Sequence, residues 1–186
     1  MSRHPRAVAV LAIAAAMQPV LVAACTSGGT SGPGGQRSSS PPTTRAAAHG
    51  PFFPECGGVT DETVSRLTRV PGLVTTARNS VGCQWLARGS IDGPWFSFTW
   101  FRGSPIGRER SSEERMRPRV DDITIDGHHG FIAVASVTKA VNRLCDVAIQ
   151  YQDDFFEWSI RYQRRPLYDP CDIAVELSRQ SIAAAR

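Results

Sequence analysis

The sequence predicts an α+β fold: an antiparallel sheet with N- and C-terminal helices packed on one face, a two-layer sandwich. Three observations predict it. Two late segments alternate with period two. Val147, Ile149 and Tyr151 alternate with Asp146, Ala148 and Gln150, and Phe156, Trp158, Ile160 and Tyr162 with Glu157, Ser159 and Arg161. Such alternation describes strands with one buried and one polar face. Helix-start signals stand near both ends of the folded part, at Thr60 and Asp169. Four cysteines, at 56, 83, 145 and 171, can pair fully and staple the elements.

Residues 1–24 precede that domain as an export signal. Arg3 and Arg6 supply the charged start, an apolar run begins at Ala7, and Ala23-Ala24 are the small residues before the cut. Leu21-Val22-Ala23-Ala24-Cys25 resembles the bacterial lipobox. That resemblance implies diacylglyceryl on the Cys25 thiol, removal of the signal and acylation of the new amino group. Cysteine parity agrees: five cysteines minus Cys25 leave an even four. Gln18 and Pro19 interrupt the apolar run, which is at the short limit for a membrane span. Each buried methylene contributes about 0.8 kcal/mol, so two or three acyl chains hold a protein stably. The expected location is the extracytoplasmic face of the cell membrane, with the membrane itself as a partner.

Residues 25–50 read as a lipidated Ser/Gly/Pro/Thr tether. Almost no large apolar residue occurs there, so burial cannot offset the entropy of ordering. Pro41-Pro42 stiffens its second half, and Thr43-Thr44 sit in a composition that permits O-glycosylation. Residues 51–186 then form one domain's worth of chain. The net charge of +4 falls to +2 once Arg3 and Arg6 leave with the signal. A balance that even does not point to nucleic acid.

Within the domain, Thr60 is the expected cap of a short helix, with Asp61 and Glu62 in the first turn and a Val59/Val64 staple. Pro71-Gly72 ends it. Val81 to Ala87 and Trp95 to Phe101 read as strands, the latter with Phe96, Phe98 and Trp100 on one face. Asp122 to Ile125, the Asp126-Gly127 turn and Phe131 to Ala135 read as a hairpin. Asp153-Asp154 reads as the turn between the two alternating strands rather than a carboxylate dyad. Asp169 caps a final helix that starts at Pro170 and carries Ile173, Ala174 and Leu177 as its apolar stripe.

Gly107 to Arg119 is polar throughout and reads as a solvated loop or helix, with Glu113/Arg117 as an i,i+4 pair. Of the three cysteine pairings, Cys56–Cys83 and Cys145–Cys171 are favoured. Each ties a residue at or just before a helix start to a neighbouring strand, and consecutive elements are usually adjacent.

Pro54-Glu55-Cys56, Gly82-Cys83-Gln84-Trp85, Cys145-Asp146-Val147 and Asp169-Pro170-Cys171-Asp172 resemble a family of actinobacterial, mycobacterial cell-envelope lipoproteins of unknown function. The resemblance covers nearly the whole mature domain and stops at the tether. It implies an α+β envelope lipoprotein lipidated at Cys25, with structural roles for Cys56, Cys83, Cys145 and Cys171. It brings no catalytic residues.

No nucleophile elbow, phosphate-binding loop or zinc-protease helix occurs in the sequence, and no cofactor is expected. His128-His129 would point to opposite faces of a strand and is not a metal site. Trp95 and Phe101 fall on the face shared with Ser97 and Thr99. They mark either a contact surface or a place that Gly107 to Arg119 folds over. The expected function is a non-enzymatic binding or accessory module for an envelope lipid, glycan or protein partner. The alternative is a lipid or glycolipid carrier with an apolar cavity between sheet and helices.

Overall fold

A computed structural model describes residues 46–138 and 141–186; the signal peptide, Cys25 and residues 26–45 of the tether lie outside them. Seven strands form one antiparallel sheet in the order β1-β2-β3-β7-β6-β5-β4. These are β1 (Leu73–Asn79), β2 (Gly82–Ala87), β3 (Trp95–Phe101), β4 (Arg119–Ile125), β5 (His128–Thr138), β6 (Val141–Tyr151) and β7 (Asp154–Arg161). Three α-helices accompany it: α1 (Asp61–Thr68), α2 (Ile106–Met116) and α3 (Pro170–Ala184).

Local chemistry sets the boundaries of the terminal helices. The Thr60 hydroxyl accepts the Thr63 N–H, and Val59 and Val64 are both buried beneath that first turn. The Asp169 carboxylate accepts the Cys171 N–H, with Pro170 in the first turn of α3. The β4–β5 hairpin turns at Asp126 (φ 48°) and Gly127 (φ 83°), both left-handed as a two-residue type I′ turn requires.

The first face of the sheet meets α1 and α3. Trp85, Phe96, Phe98, Phe156, Trp158 and Ile160 pack there against Val64, Ile173 and Leu177. Trp85 and Trp158 stack with ring centroids 5.6 Å apart. The Trp158 indole donates to Ser181 of α3, and the Trp85 indole to Asp61 of α1. The polar handles of the two large rings therefore lock both helices onto the sheet.

Two features depart from the sequence expectation. β1 carries no period-two signal because most of it is exposed at the sheet edge. A register break between Thr75 and Ala77, and the pairing of Arg78 with Glu55 and Asp61, blunt that edge against further strand addition. The second departure is the face expected to be polar and solvated. Over β5–β7 it is buried, since α2 lies across it. Phe131, Ala133, Ala148 and Phe155 form a second apolar cluster there, joined by Phe101, Ile106 and Val120. Within the polar segment 107–119, the part up to Met116 is thus a covering helix that buries Glu113 and keeps its outer side in solvent.

Candidate functional site

The second face divides into a covered part and an open part. Across it, register aligns Gln84, Ser97, Ser159 and Asp146 in one row, and Leu86, Trp95 and Arg161 in the next.

The covered part holds a cluster of carboxylates between α2 and the sheet. Arg117 Nε lies 2.6 Å from Glu113, and Arg117 Nη2 donates to Asp146 at 2.9 Å. Ser159 also donates to Asp146. Glu157 stands beside them, and its Oε2 has no hydrogen-bond partner among the described residues. Burial pushes all three carboxyls above the usual range, and each also feels a neighbouring acid or is only partly offset by Arg117. Arg117 is the guanidinium that meets Glu113 and Asp146, and Arg161 acts on Asp146 from farther along β7. The expected Glu113/Arg117 pair is present, but it is buried where a solvent-facing pair was expected. Sequence reading missed Asp146 and Glu157 because a polar residue on an alternating strand looks solvated until something covers it.

Phe101 belongs to the covered part. Its ring stacks on Phe155 at 4.3 Å and meets Ile106, so it is a packing residue. Trp95 does not share that cover. It is half-buried at the wall of a hollow of about 360 Å³ formed with Gln84, Leu86, Ile91, Arg161 and Gln163. The Arg161 guanidinium stands 5.9 Å from the ring centroid. The Trp95 indole Nε1 is buried without a hydrogen-bond partner among the described residues. The structure therefore separates the two aromatics that the sequence placed together.

The layer between sheet and terminal helices is filled by Trp85, Phe96, Phe156 and Trp158, all fully buried. A carrier cavity there would require those rings to move. Cys56–Cys83 and Cys145–Cys171 are disulfides, each with Cα atoms 5.1 Å apart. The first joins the 3-10 turn Glu55–Gly58 to β2, and the second joins β6 to α3.

Asp154 is not in the turn, which falls at Gln152 and Asp153; it is fully buried at the start of β7. Its carboxylate meets His49 Nδ1 at 2.8 Å and accepts the N–H groups of Gly50 and Gly103. Burial would raise its pKa, but those donors win and hold it below the usual range. Asp154 thus fixes the N-terminal arm, helped by paired backbone bonds between Phe52 and Arg186. His128 stacks on Tyr151 and His129 contacts Thr124; no metal-holding group of His, Cys, Asp and Glu occurs among the described residues.

Residues 20–184 match a family model described as a protein of unknown function, DUF3558. Relatives named "Putative lipoprotein LprB" from Mycobacterium tuberculosis and Mycobacterium bovis are 62% identical over 138 residues, 74% of this chain and 75% of theirs. The Mycobacterium leprae protein of that name is 61% identical over the same share of this chain and 73% of its own. No solved structure matches the chain. On both the family model and these relatives, the chain belongs to the DUF3558 family.

Proposed function

We propose that this protein is a membrane-anchored envelope lipoprotein whose domain is a non-enzymatic binding or accessory module, with the Trp95 hollow as its contact surface. The observation that carries this is the contrast between the two aromatics on the second face. Phe101 is packed beneath α2, whereas Trp95 borders an open hollow and keeps an indole N–H without a partner among the described residues. The anchor rests on Cys25, on the signal sequence before it and on the lipoprotein name of the mycobacterial relatives. The buried acids support structure more than chemistry, because α2 stands between them and solvent.

Cosedimentation of the full chain with isolated cell-envelope material tests the reading. Trp95→Ala should reduce cosedimentation and leave the melting temperature nearly unchanged. Trp158→Ala, at a fully buried site, should cost about 3–5 kcal/mol of stability. Cosedimentation that is independent of Trp95, or a Trp95→Ala loss as large as that of Trp158→Ala, overturns the proposal.

A further inference from the structure

The Trp95 hollow is one of three that meet at a single pole of the domain. A second, of about 380 Å³, lies among the 163–167 loop, Val70 and Pro94, and a third, of about 290 Å³, lies between Arg69 and Tyr168. Large apolar side chains stand out around them: Leu167 is 87% exposed, Ile91 80% and Tyr168 51%. Five arginines line these hollows, Arg66, Arg69, Arg161, Arg164 and Arg165, and none is in an ion pair among the described residues. Asp92 and Asp172 are the acids that share the hollows, leaving cations in excess.

This pole is far from where the chain enters the domain. The N-terminal arm is fixed at Gln152, Asp153 and Asp154, where β7 begins, and the pole starts at Arg161, where β7 ends. Eight strand residues separate the two by about 25 Å. With a lipid on Cys25, the arm end is the membrane-proximal end, and the arginine pole is presented outward.

We infer that this pole binds an acidic glycan, with a sugar ring against Trp95 and its carboxylates or phosphates on the unpaired arginines. The chemistry matches on three counts. An indole offers a flat apolar surface to the C–H face of a pyranose, and Trp95 stands at the wall of the hollow where such a face would lie. The side-chain amides of Gln84 and Gln163 line the same hollow and supply both donors and acceptors. Guanidinium groups take carboxylate or phosphate as paired, charge-assisted bonds. Three hollows in succession suit several units of a polymer rather than one small ligand. An anionic lipid surface would also meet the arginines, but it makes no use of the Gln84 and Gln163 amides that line the hollow beside Trp95. This inference rests on the binding-module reading and names its ligand class.

The test uses the full chain in phosphatidylcholine nanodiscs, with polygalacturonate oligomers as probe, dextran of matched length as neutral control and phosphatidylglycerol vesicles as lipid control. Trp85, Trp100 and Trp158 are buried, so a change in tryptophan fluorescence on binding reports Trp95. The expected result is binding of the polyuronate alone, weakened by salt, with a fluorescence shift lost in Trp95→Ala. Arg161→Gln with Arg164→Gln should weaken it about tenfold at an unchanged melting temperature. The arginine variant sits on the exposed rim, so it still decides the matter if Trp95→Ala does not fold. Equal binding of dextran, arginine-dependent binding of the vesicles alone, or no polyuronate binding overturns the inference. If envelope cosedimentation stays Trp95-dependent yet polyuronate neither binds nor competes, the ligand class is wrong and the binding-module reading stands. Cosedimentation that ignores Trp95 removes both.

Discussion

Three carboxyls, Glu113, Asp146 and Glu157, share the layer under α2 with one arginine, and burial raises all of them. Unfolding returns them to ordinary values, so the folded chain holds their protons to higher pH. Their contribution to stability is therefore full below the ordinary carboxylate range and is lost as pH rises through the folded values. Asp61, Asp154 and Glu176 run the other way. Donors to each, Trp85 for Asp61, His49 for Asp154 and Gln180 for Glu176, hold their pKa low, and that contribution is lost on acidification. The two sets together place maximal stability in the ordinary carboxylate range, between the folded values of the lowered and the raised groups. Melting temperature should fall from there towards pH 8 in the native chain. Glu157→Gln keeps the shape and removes the charge, so it should raise the melting temperature at pH 8 and flatten the profile. A native profile already flat over that range, unchanged by the substitution, would show that these acids do not titrate in it.

At the scale of elements, the disulfides act where helices meet strands. Cys145–Cys171 closes a separation of 26 residues between β6 and α3, which corresponds to roughly 3.5 kcal/mol in the chain-entropy account. Replacing both cysteines by serine should lower stability by about that much in urea unfolding. It should leave α3 docked, since Ile173, Ala174 and Leu177 remain buried. Non-reducing peptide mapping should give two crosslinked pairs, 56 with 83 and 145 with 171. The elements most legible in the sequence are those whose signals are local: the caps at Thr60 and Asp169, the Asp126-Gly127 turn and the alternation in β6 and β7. β1 was not legible, because an exposed edge strand of Thr, Ala, Arg and Asn has no buried face to create a pattern. The role of α2 was not legible either. Its charges describe a solvated helix, and only the second apolar cluster, assembled from β5, β6 and β7 with Phe101, Val120 and Ile106, shows what it covers. The same cause hid the acid layer and split Trp95 from Phe101. Burial of a sheet's second face depends on contacts that no single segment records.

Within the described domain, the N-terminal arm is fixed at one end of β7 and the arginine pole lies at the other. That axis has functional meaning only if the arm end is held at a membrane. Among the described residues no helix is long and apolar enough to cross one. In the proposed reading Cys25 supplies that hold. Between it and Ala48, where the arm first bonds to Asp153, lie residues 26–47, rich in glycine, serine and proline. Cys25→Ala should abolish lipidation, leave the signal uncleaved by the lipoprotein peptidase and shift the mature mass accordingly. Detergent-phase partition and mass spectrometry of the variant read both effects. The fold should be unaffected, because Asp154 holds the arm from within the domain, so disulfide mapping and melting temperature serve as internal controls. A Cys25→Ala protein that keeps its native mass and its detergent partition would detach the axis from any membrane and leave the two poles without an orientation.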